Sequence, residues 1–162
     1  MERIDLAGDW TLKQAGKDSS RPASVPGCVH TDLLAAGAIE DPYFRDNEAR
    51  LQWIEETDWT YTRTFDVPAD VLARDRVLLV CEGLDTLATV KLNGKVVGTA
   101  DNMFRTWAFD ARPFLRAGRN RIEICFASAL RYIRRRQREK TLPGWGSARE
   151  VHGKSRGWSR RS

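Results

Sequence analysis

Apolar and polar residues alternate with a period of two along much of this chain. Over residues 59–67, aromatic and aliphatic side chains occupy one face, whereas threonines and Asp66 occupy the other. This spacing is typical of a β-strand with one buried face. Arg63 interrupts the apolar face, and Pro68 ends the run. The pattern therefore predicts a strand that packs on a core and ends at the proline.

Further runs of the same kind follow. Residues 77–81 are apolar at every position, which predicts a strand covered on both faces. Apolar positions alternate again over residues 88–92, and Asn93-Gly94 follows at once. An Asn-Gly pair between two apolar runs indicates a tight hairpin, because both residues tolerate positive φ. Two last strands are predicted at residues 106–109 and 121–126.

The remaining segments are less regular. A short strand is predicted around residues 10–13, and a short helix is predicted to be capped by Thr31 and stopped by Gly37. Residues 40–58 fit no single period, yet they are rich in aromatic and acidic residues, so we expect an ordered loop. Residues 129–140 have helical propensity. About six or seven short strands with little helix predict an all-β, antiparallel sandwich.

Composition changes this picture in one respect. The chain has 162 residues, about one domain, with a net charge of +5. Residues 1–130 carry 16 basic and 20 acidic residues, whereas residues 131–162 carry 11 basic and two acidic ones. The basic character therefore belongs to the C-terminal tail. We expect a β-sandwich domain at residues 1–130, a basic helix and loop of the same domain at 131–155, and disorder at 156–162.

Several classes of protein are disfavoured by the same composition. No apolar run approaches the ~20 residues that span a bilayer, and the first residues lack a signal-peptide pattern. We therefore expect a cytoplasmic protein that does not contact a membrane. Three cysteines without close spacing and two histidines favour free thiols over a metal site, and no cofactor is expected.

Several sequence blocks stand out in order along the chain, namely Val25 to Leu34, Asp46 to Glu48, Leu51 to Glu55, Glu82 to Thr86 and Asp101 to Trp107. Together these blocks resemble the N-terminal domain of β-mannosidases, members of glycoside hydrolase family 2. The resemblance covers roughly residues 8–154 and implies a galactose-binding-like jelly-roll sandwich, in agreement with the strand pattern. It also implies that the two catalytic glutamates of these retaining enzymes lie in a barrel domain outside this chain, which we interpret as truncated before that barrel.

The same resemblance suggests where the domain approaches a sugar. In related hydrolases the stretch before the strand at residue 59 approaches the active site, so Asn47, Trp53 and Trp59 are the candidate substrate-binding residues. Aromatic faces stack on sugar C–H surfaces and amides bind hydroxyls. The alternative is that Trp53 and Trp59 pin the loop to the sandwich or to the absent barrel. For the block at 101–107, we expect Phe104 and Trp107 in the core and Arg105 in an ion pair.

Other chemistry is weakly supported. A nucleophilic triad of His30, Asp32 and a serine is disfavoured because the chain has no Gly-x-Ser-x-Gly motif. We interpret Cys28 as a small buried residue rather than a nucleophile. Adjacent acids such as Glu55 and Glu56 point apart on an extended chain and do not form a catalytic pair. We expect a non-catalytic domain of a β-mannosidase-like hydrolase that is inactive alone.

Two other functions stay open, a stand-alone carbohydrate-binding or interaction module and nucleic-acid binding through the basic tail, the latter being disfavoured. The partners to consider are a mannoside or manno-oligosaccharide, a separately encoded catalytic portion, and a second copy paired through open sheet edges.

Overall fold

The computed structural model describes residues 3–140. The chain divides into two compact units, Met1–Tyr132 and Ile133–Ser162. The strands are β1 (Gly8–Gln14), β2 (Ser20–Val25), β3 (Trp59–Val67), β4 (Leu78–Cys81), β5 (Leu87–Leu92), β6 (Lys95–Ala100), β7 (Trp107–Asp110) and β8 (Gly118–Ala127). The helices are α1 (Val29–Ala35), α2 (Asn47–Leu51), α3 (Ala69–Leu72) and α4 (Ala129–Glu139), with 3₁₀ turns at Gln52–Ile54 and Arg112–Phe114. The predicted segment after residue 140, including the tail at 156–162, lies outside the described residues.

The strands form two antiparallel sheets. Six of them pair in the order β2-β1-β3-β8-β5-β6, and β4 pairs with β7. Inward-facing residues of the small sheet, including Leu79 and Phe109, pack on Ala88, Val90 and Ala100 of the large one. Because alternate residues of a strand point to one face, this contact closes a two-layer core. The predicted all-β antiparallel sandwich is confirmed.

The other half of the large sheet is covered by helices and loops. Trp10, Leu12 and Tyr61 on the sheet share a buried cluster with Leu33 of α1 and Ile54 of the first 3₁₀ turn. The segment between β2 and β3 therefore acts as a lid over this end of the core. Its position fixes where the candidate substrate-binding residues lie.

Strand β3 forms over the predicted residues 59–67, and the structure explains the arginine on its inner face. The Arg63 guanidinium donates to the backbone carbonyl oxygens of Leu6, at 2.9 Å, and Ala7. The Trp10 indole N–H also donates to the Leu6 carbonyl, at 2.8 Å. These bonds satisfy a charged group beside the core and hold the chain that enters β1.

The predicted Asn-Gly hairpin joins β5 and β6. Asn93 and Gly94 have φ values of 51° and 82°, as a tight hairpin turn requires. The Asn93 amide donates to the Asn120 side-chain oxygen at 2.8 Å. Asn120 is fully buried, accepts from the Arg116 N–H at 3.0 Å, and donates to the carbonyls of Arg116 and Gly118 at 2.7 Å each. One amide therefore ties two turns together at this end of the sandwich.

Replacing Asn120 by alanine is expected to lower the free energy of unfolding by about 2 kcal/mol, because the buried ends of these hydrogen bonds lose their partner. Urea unfolding of the two proteins measures the difference. Asn102, an exposed residue that accepts one bond from the Phe104 N–H, is the matched control, and its alanine variant should lose less than half as much. Equal losses from both variants would contradict this role for Asn120.

Helix α1 begins three residues earlier than the sequence indicates. Cys28 is the N-cap, and Thr31 is the third helical residue. The Thr31 hydroxyl accepts from the Cys28 N–H at 3.2 Å and donates to the Cys28 carbonyl at 2.8 Å. Thr31 therefore caps the N-terminus of α1 from within the first helical turn, as in a capping box. The predicted stop at Gly37 is confirmed by its φ of 63° and its N–H bond to the Leu34 carbonyl.

The segment at residues 40–58 is more regular than the loop we predict from its sequence. It contains α2 and the 3₁₀ turn at Gln52–Ile54, which follow one another directly. Helical periodicity is hard to detect over so few residues, since each element spans little more than one turn.

The prediction that the strand at 77–81 is covered on both faces is wrong. Leu78 and Val80 are exposed, by 38% and 53% respectively, whereas Leu79 and Cys81 pack on the core. Among the described residues, β4 pairs only with β7, and no further layer covers the outer face of this sheet. A continuous apolar run indicates a buried strand only where a second layer exists.

The block at 101–107 also differs from its expectation. Phe104 is 90% exposed rather than part of the core. The Arg105 guanidinium lies over the Trp107 ring, 4.6 Å from its centroid, instead of forming the ion pair that we expect from the sequence. Trp107 itself is packed against the buried residues Ala88, Val90 and Ala100 between the two sheets, as expected for a core residue. Its indole N–H donates to the Asn102 carbonyl at 3.1 Å. The tryptophan anchors the loop, and the residues before it reach solvent.

No helix among residues 3–140 is long and apolar enough to cross a lipid bilayer.

Candidate functional site

The candidate residue Asn47 is a buried clamp within the loop before β3. It begins α2, and its side-chain amide donates to the Asp41 carbonyl at 2.9 Å. The Asp41 carboxylate in turn accepts from the Tyr43 N–H at 2.9 Å. The amide of Asn47 therefore fixes the shape of the turn between these two residues.

The two candidate tryptophans lie together. Their ring centroids are 6.0 Å apart and the rings are tilted by 46°. Trp59 is buried at the start of β3, and its indole N–H donates to the Ile54 carbonyl at 3.0 Å. Trp53 is 38% exposed, so part of its ring faces solvent. Trp59 therefore holds the 3₁₀ turn on the sandwich and packs against Trp53. This arrangement pins the loop to the sandwich.

A small cavity of about 90 Å³ opens beside Trp59. It is lined by Leu12, Gln14, Lys17, Ser19, Arg21 and Trp59. Trp53, whose ring is 38% exposed, is not among the residues that line this cavity.

Asp32 is a buried carboxylate next to this region. One of its oxygens accepts from the Tyr61 hydroxyl at 2.6 Å, and the other accepts from the Ser24 N–H at 3.0 Å. Burial raises the pKa of Tyr61, and the hydrogen bond to Asp32 and its negative charge raise that pKa further. Tyr61 therefore remains a proton donor, and Asp32 joins α1 to β2 and β3 with both oxygens occupied.

Asp58 connects the end of the loop to the start of α4. Its carboxylate accepts from the Ser128 N–H at 2.7 Å and pairs with Arg131. Ser128 also donates its hydroxyl to the Glu55 carbonyl and accepts from the Arg131 N–H at 3.1 Å. Burial raises the pKa of Asp58, but the hydrogen bonds from Arg131 and Ser128 and the Arg131 charge outweigh it. The pKa of Asp58 is therefore below its ordinary value.

A lowered pKa in the folded state means that Asp58 stabilises the fold above its ordinary pKa of 3.8, and that this stabilisation disappears as the pH falls through the lower folded value. We expect Asp58→Asn to cost about 1 kcal/mol at pH 7, because the pair is partly exposed, and progressively less below pH 4. Urea unfolding at several pH values measures this. Glu40→Gln is the control, because it removes an ion pair in which both side chains are more than 70% exposed. It should leave the free energy of unfolding almost unchanged. A pH-independent cost of Asp58→Asn would contradict this assignment.

The cysteines of the described residues, Cys28, Cys81 and Cys125, are free thiols. Burial raises the pKa of Cys81 to about 11, so its thiol is protonated at neutral pH and a poor nucleophile. Cys28 is exposed rather than buried as expected, and its sulfur lies 3.5 Å from the Thr31 hydroxyl. Within residues 3–140, no group of three or more His, Cys, Asp or Glu residues could hold a metal ion.

Two aromatic residues of this segment were not identified as candidates from the sequence. Tyr43 is 97% exposed and Phe44 is 58% exposed, both in the turn that Asn47 clamps. The Arg45 guanidinium lies 5.0 Å from the Phe44 ring centroid. The signal in the sequence is an aromatic pair within an otherwise acidic stretch, but exposure cannot be told from burial by composition alone.

Comparison with known proteins places the chain in a family. The model of the glycosyl hydrolase 2 galactose-binding domain-like family matches residues 10–162. β-Mannosidase A of Emericella nidulans is 41% identical over 139 residues, which are 84% of this chain and 15% of that protein. The goat (Capra hircus) β-mannosidase is 39% identical over 138 residues, covering 85% of this chain and 16% of that protein.

Solved structures agree with this match. The β-D-mannosidase of Dictyoglomus thermophilum superposes with a TM-score of 0.85 at 37% identity, covering 88% of this chain and 18% of the other. The exo-chitosanase of Amycolatopsis orientalis shares the fold alone, with a TM-score of 0.65 at 18% identity. The chain thus spans less than a fifth of the length of these relatives. It belongs to the glycosyl hydrolase 2 galactose-binding domain-like family.

Proposed function

We propose that this chain is the non-catalytic N-terminal sandwich domain of a β-mannosidase-like glycoside hydrolase, and that it supports a reaction carried out elsewhere in the enzyme. The observation that carries the proposal is the TM-score of 0.85 with a β-D-mannosidase of which the chain covers only 18%. The matching sandwich is a small part of that protein. Hydrolysis of terminal β-mannosyl residues would then need the larger part.

The chemistry of two carboxylates, Asp32 and Asp58, supports this division. A retaining glycosidase needs two carboxyl groups ~5–5.5 Å apart, one with a raised pKa that acts as the acid. Asp32 has both oxygens occupied by Tyr61 and Ser24, and the pKa of Asp58 is lowered rather than raised. Both residues connect loops to the sandwich and are poorly suited to donate a proton to a leaving group.

We also propose that the loop before β3 contributes the edge of a sugar site. Of the three candidate residues only Trp53 is exposed, whereas Asn47 and Trp59 are buried and hold the loop in place. A partly exposed indole can stack on the C–H face of a mannosyl ring. Titration of the chain with a β-1,4-manno-oligosaccharide should change its tryptophan fluorescence, and Trp53→Phe should remove that change. An unchanged spectrum at millimolar sugar would reject binding by the isolated domain.

A chimera tests the proposed function. This chain replaces the matching 18% of the Dictyoglomus thermophilum β-D-mannosidase, and hydrolysis of p-nitrophenyl β-D-mannoside is measured. We expect the chimera to hydrolyse the substrate and the same enzyme without any sandwich to be inactive. An inactive chimera would contradict the proposal, since the domain would then fail to support the enzyme whose fold it shares.

A further inference from the structure

Two basic side chains line the cavity beside Trp59. Lys17 lies in the turn between β1 and β2, and Arg21 lies near the start of β2. The other polar residues on the cavity wall are Gln14 and Ser19, and no acidic residue among residues 3–140 lines it. All four polar side chains can donate a hydrogen bond, and two of them carry a positive charge. The cavity is therefore suited to a negatively charged ligand.

The positive charge of the cavity is not neutralised by nearby carboxylates. Among the described residues, neither Lys17 nor Arg21 forms an ion pair. Asp18 follows Lys17 in sequence but does not line the cavity. The Asp58 carboxylate, just before β3, is paired with Arg131. Two like charges on one cavity wall repel each other, and an anion bound between them replaces that repulsion with two attractions.

The large sheet places the polar side chains of the cavity on its inner face. Arg21 lies opposite Leu12 in the pairing of β1 with β2. Gln14 lies opposite Trp59 in the pairing of β1 with β3. Cross-strand partners share a face of the sheet, so both polar residues lie on the side where Leu12 and Trp59 are buried. The turn is closed by a hydrogen bond of 3.2 Å from the Lys17 N–H to the Gln14 carbonyl, and such order lowers the entropy lost on binding.

The volume of the cavity and its donors select the class of ligand. The cavity holds about 90 Å³, several times the ~10–15 Å³ that admits one water molecule, so it has room for a small ion. Arginine and lysine bind phosphate oxygens through short, charge-assisted hydrogen bonds. We propose that this cavity is a binding site for a phosphate group, with Lys17 and Arg21 supplying the charge and the Gln14 amide a further donor.

Titration of the chain with inorganic phosphate, followed by two-dimensional NMR at neutral pH and constant ionic strength, tests the site. The signals of the Trp59 indole N–H and of the Lys17 and Arg21 backbone N–H groups should shift and saturate. Lys17→Gln and Arg21→Gln should each raise the dissociation constant about tenfold, because each removes a charged donor. Neither substitution should change the melting temperature in phosphate-free buffer, since both side chains are exposed.

Lys13→Gln is the matched control for these substitutions. Lys13 lies on β1 in the same hairpin, but it is exposed on the opposite face of the sheet and does not line the cavity. Its substitution should leave the dissociation constant unchanged. An equal weakening by Lys13→Gln would show that phosphate responds only to net charge and would overturn the site. The absence of a saturable shift would overturn it as well.

Two further ions identify the source of the phosphate group. Chloride at the same ionic strength should not produce the shifts, and shifts of equal size with chloride would reject a phosphate site. Competition by glycerol phosphate would assign the cavity to phosphate esters as well as to the free ion, whereas binding of inorganic phosphate alone would assign it to the free ion. These measurements involve no hydrolysis of a mannoside, so their failure would leave the proposed function standing.

Discussion

Replacing Asp32 by alanine should destabilise the sandwich by about 4 kcal/mol, because two buried hydrogen bonds to a charged acceptor are lost together. The Tyr61 hydroxyl and the Ser24 N–H would both lose their hydrogen-bond acceptor beside a core that excludes water. Domains of this size are stable by only ~5–15 kcal/mol, so the variant should keep a small margin or unfold. Urea unfolding measures the loss.

A double-mutant cycle with Tyr61→Phe separates the bond from other effects of the substitution. If Asp32 stabilises the fold through Tyr61, the double variant should lose clearly less than the sum of the single variants. Asp66, an exposed residue on the outer face of β3, provides the control, and Asp66→Ala should lose under about 0.5 kcal/mol. Strict additivity of Asp32→Ala and Tyr61→Phe would contradict the assigned network.

Gly27→Ala should cost about 3 kcal/mol, because the backbone leaves no room for the added methyl group. A Cβ atom at this position would overlap the Ser24 carbonyl oxygen, which belongs to the backbone and cannot rotate away. The same Ser24 also donates its N–H to Asp32, so a shift there would disturb the hydrogen bond of the buried carboxylate.

Gly83→Ala is the matched control for this substitution. At Gly83 the nearest atom to an added Cβ is the Met103 carbonyl oxygen at 3.7 Å, which is an ordinary contact. The two variants therefore differ in available space rather than in the residue introduced. Thermal unfolding should show a large fall in melting temperature for Gly27→Ala and a small one for Gly83→Ala. Similar values for both would show that the backbone around Ser24 yields easily.

Strands with one buried face were predictable because their pattern is a local property of the sequence. The run at 59–67 and the Asn93-Gly94 hairpin appear where expected, since period two and positive φ are determined by neighbouring residues. The prediction that the strand at 77–81 is buried on both faces is wrong for its outer face. Burial of that face depends on whether another layer covers Leu78 and Val80. Such coverage is a tertiary property that no local pattern contains.

The buried hydrogen-bond networks were even harder to predict from the sequence. Asn120 and Asp32 look like ordinary turn and helix residues in the sequence, yet each joins segments far apart in the chain. Tyr61 lies 29 residues beyond Asp32, and their bond forms only when α1 covers β3. Neither alternation nor capping rules refer to such distant partners.

The candidate site was only partly predictable. The sequence placed Asn47, Trp53 and Trp59 in one segment, and the structure brings the two tryptophans together but uses the Asn47 amide within its own turn. Their contact with sugar stays a prediction. The exposure of Tyr43 and Phe44 depends on the clamp between Asp41 and Asn47, which the sequence alone does not reveal.

The most direct test of the central claim is an assay of the purified isolated chain with p-nitrophenyl β-D-mannoside. The sandwich is proposed to support chemistry located elsewhere, so no p-nitrophenol should be released above the rate in buffer, even at high protein concentration. Release that co-purifies with the chain, and that persists after contaminating hydrolases have been excluded, would place the catalytic carboxyl groups within these 162 residues and contradict the account.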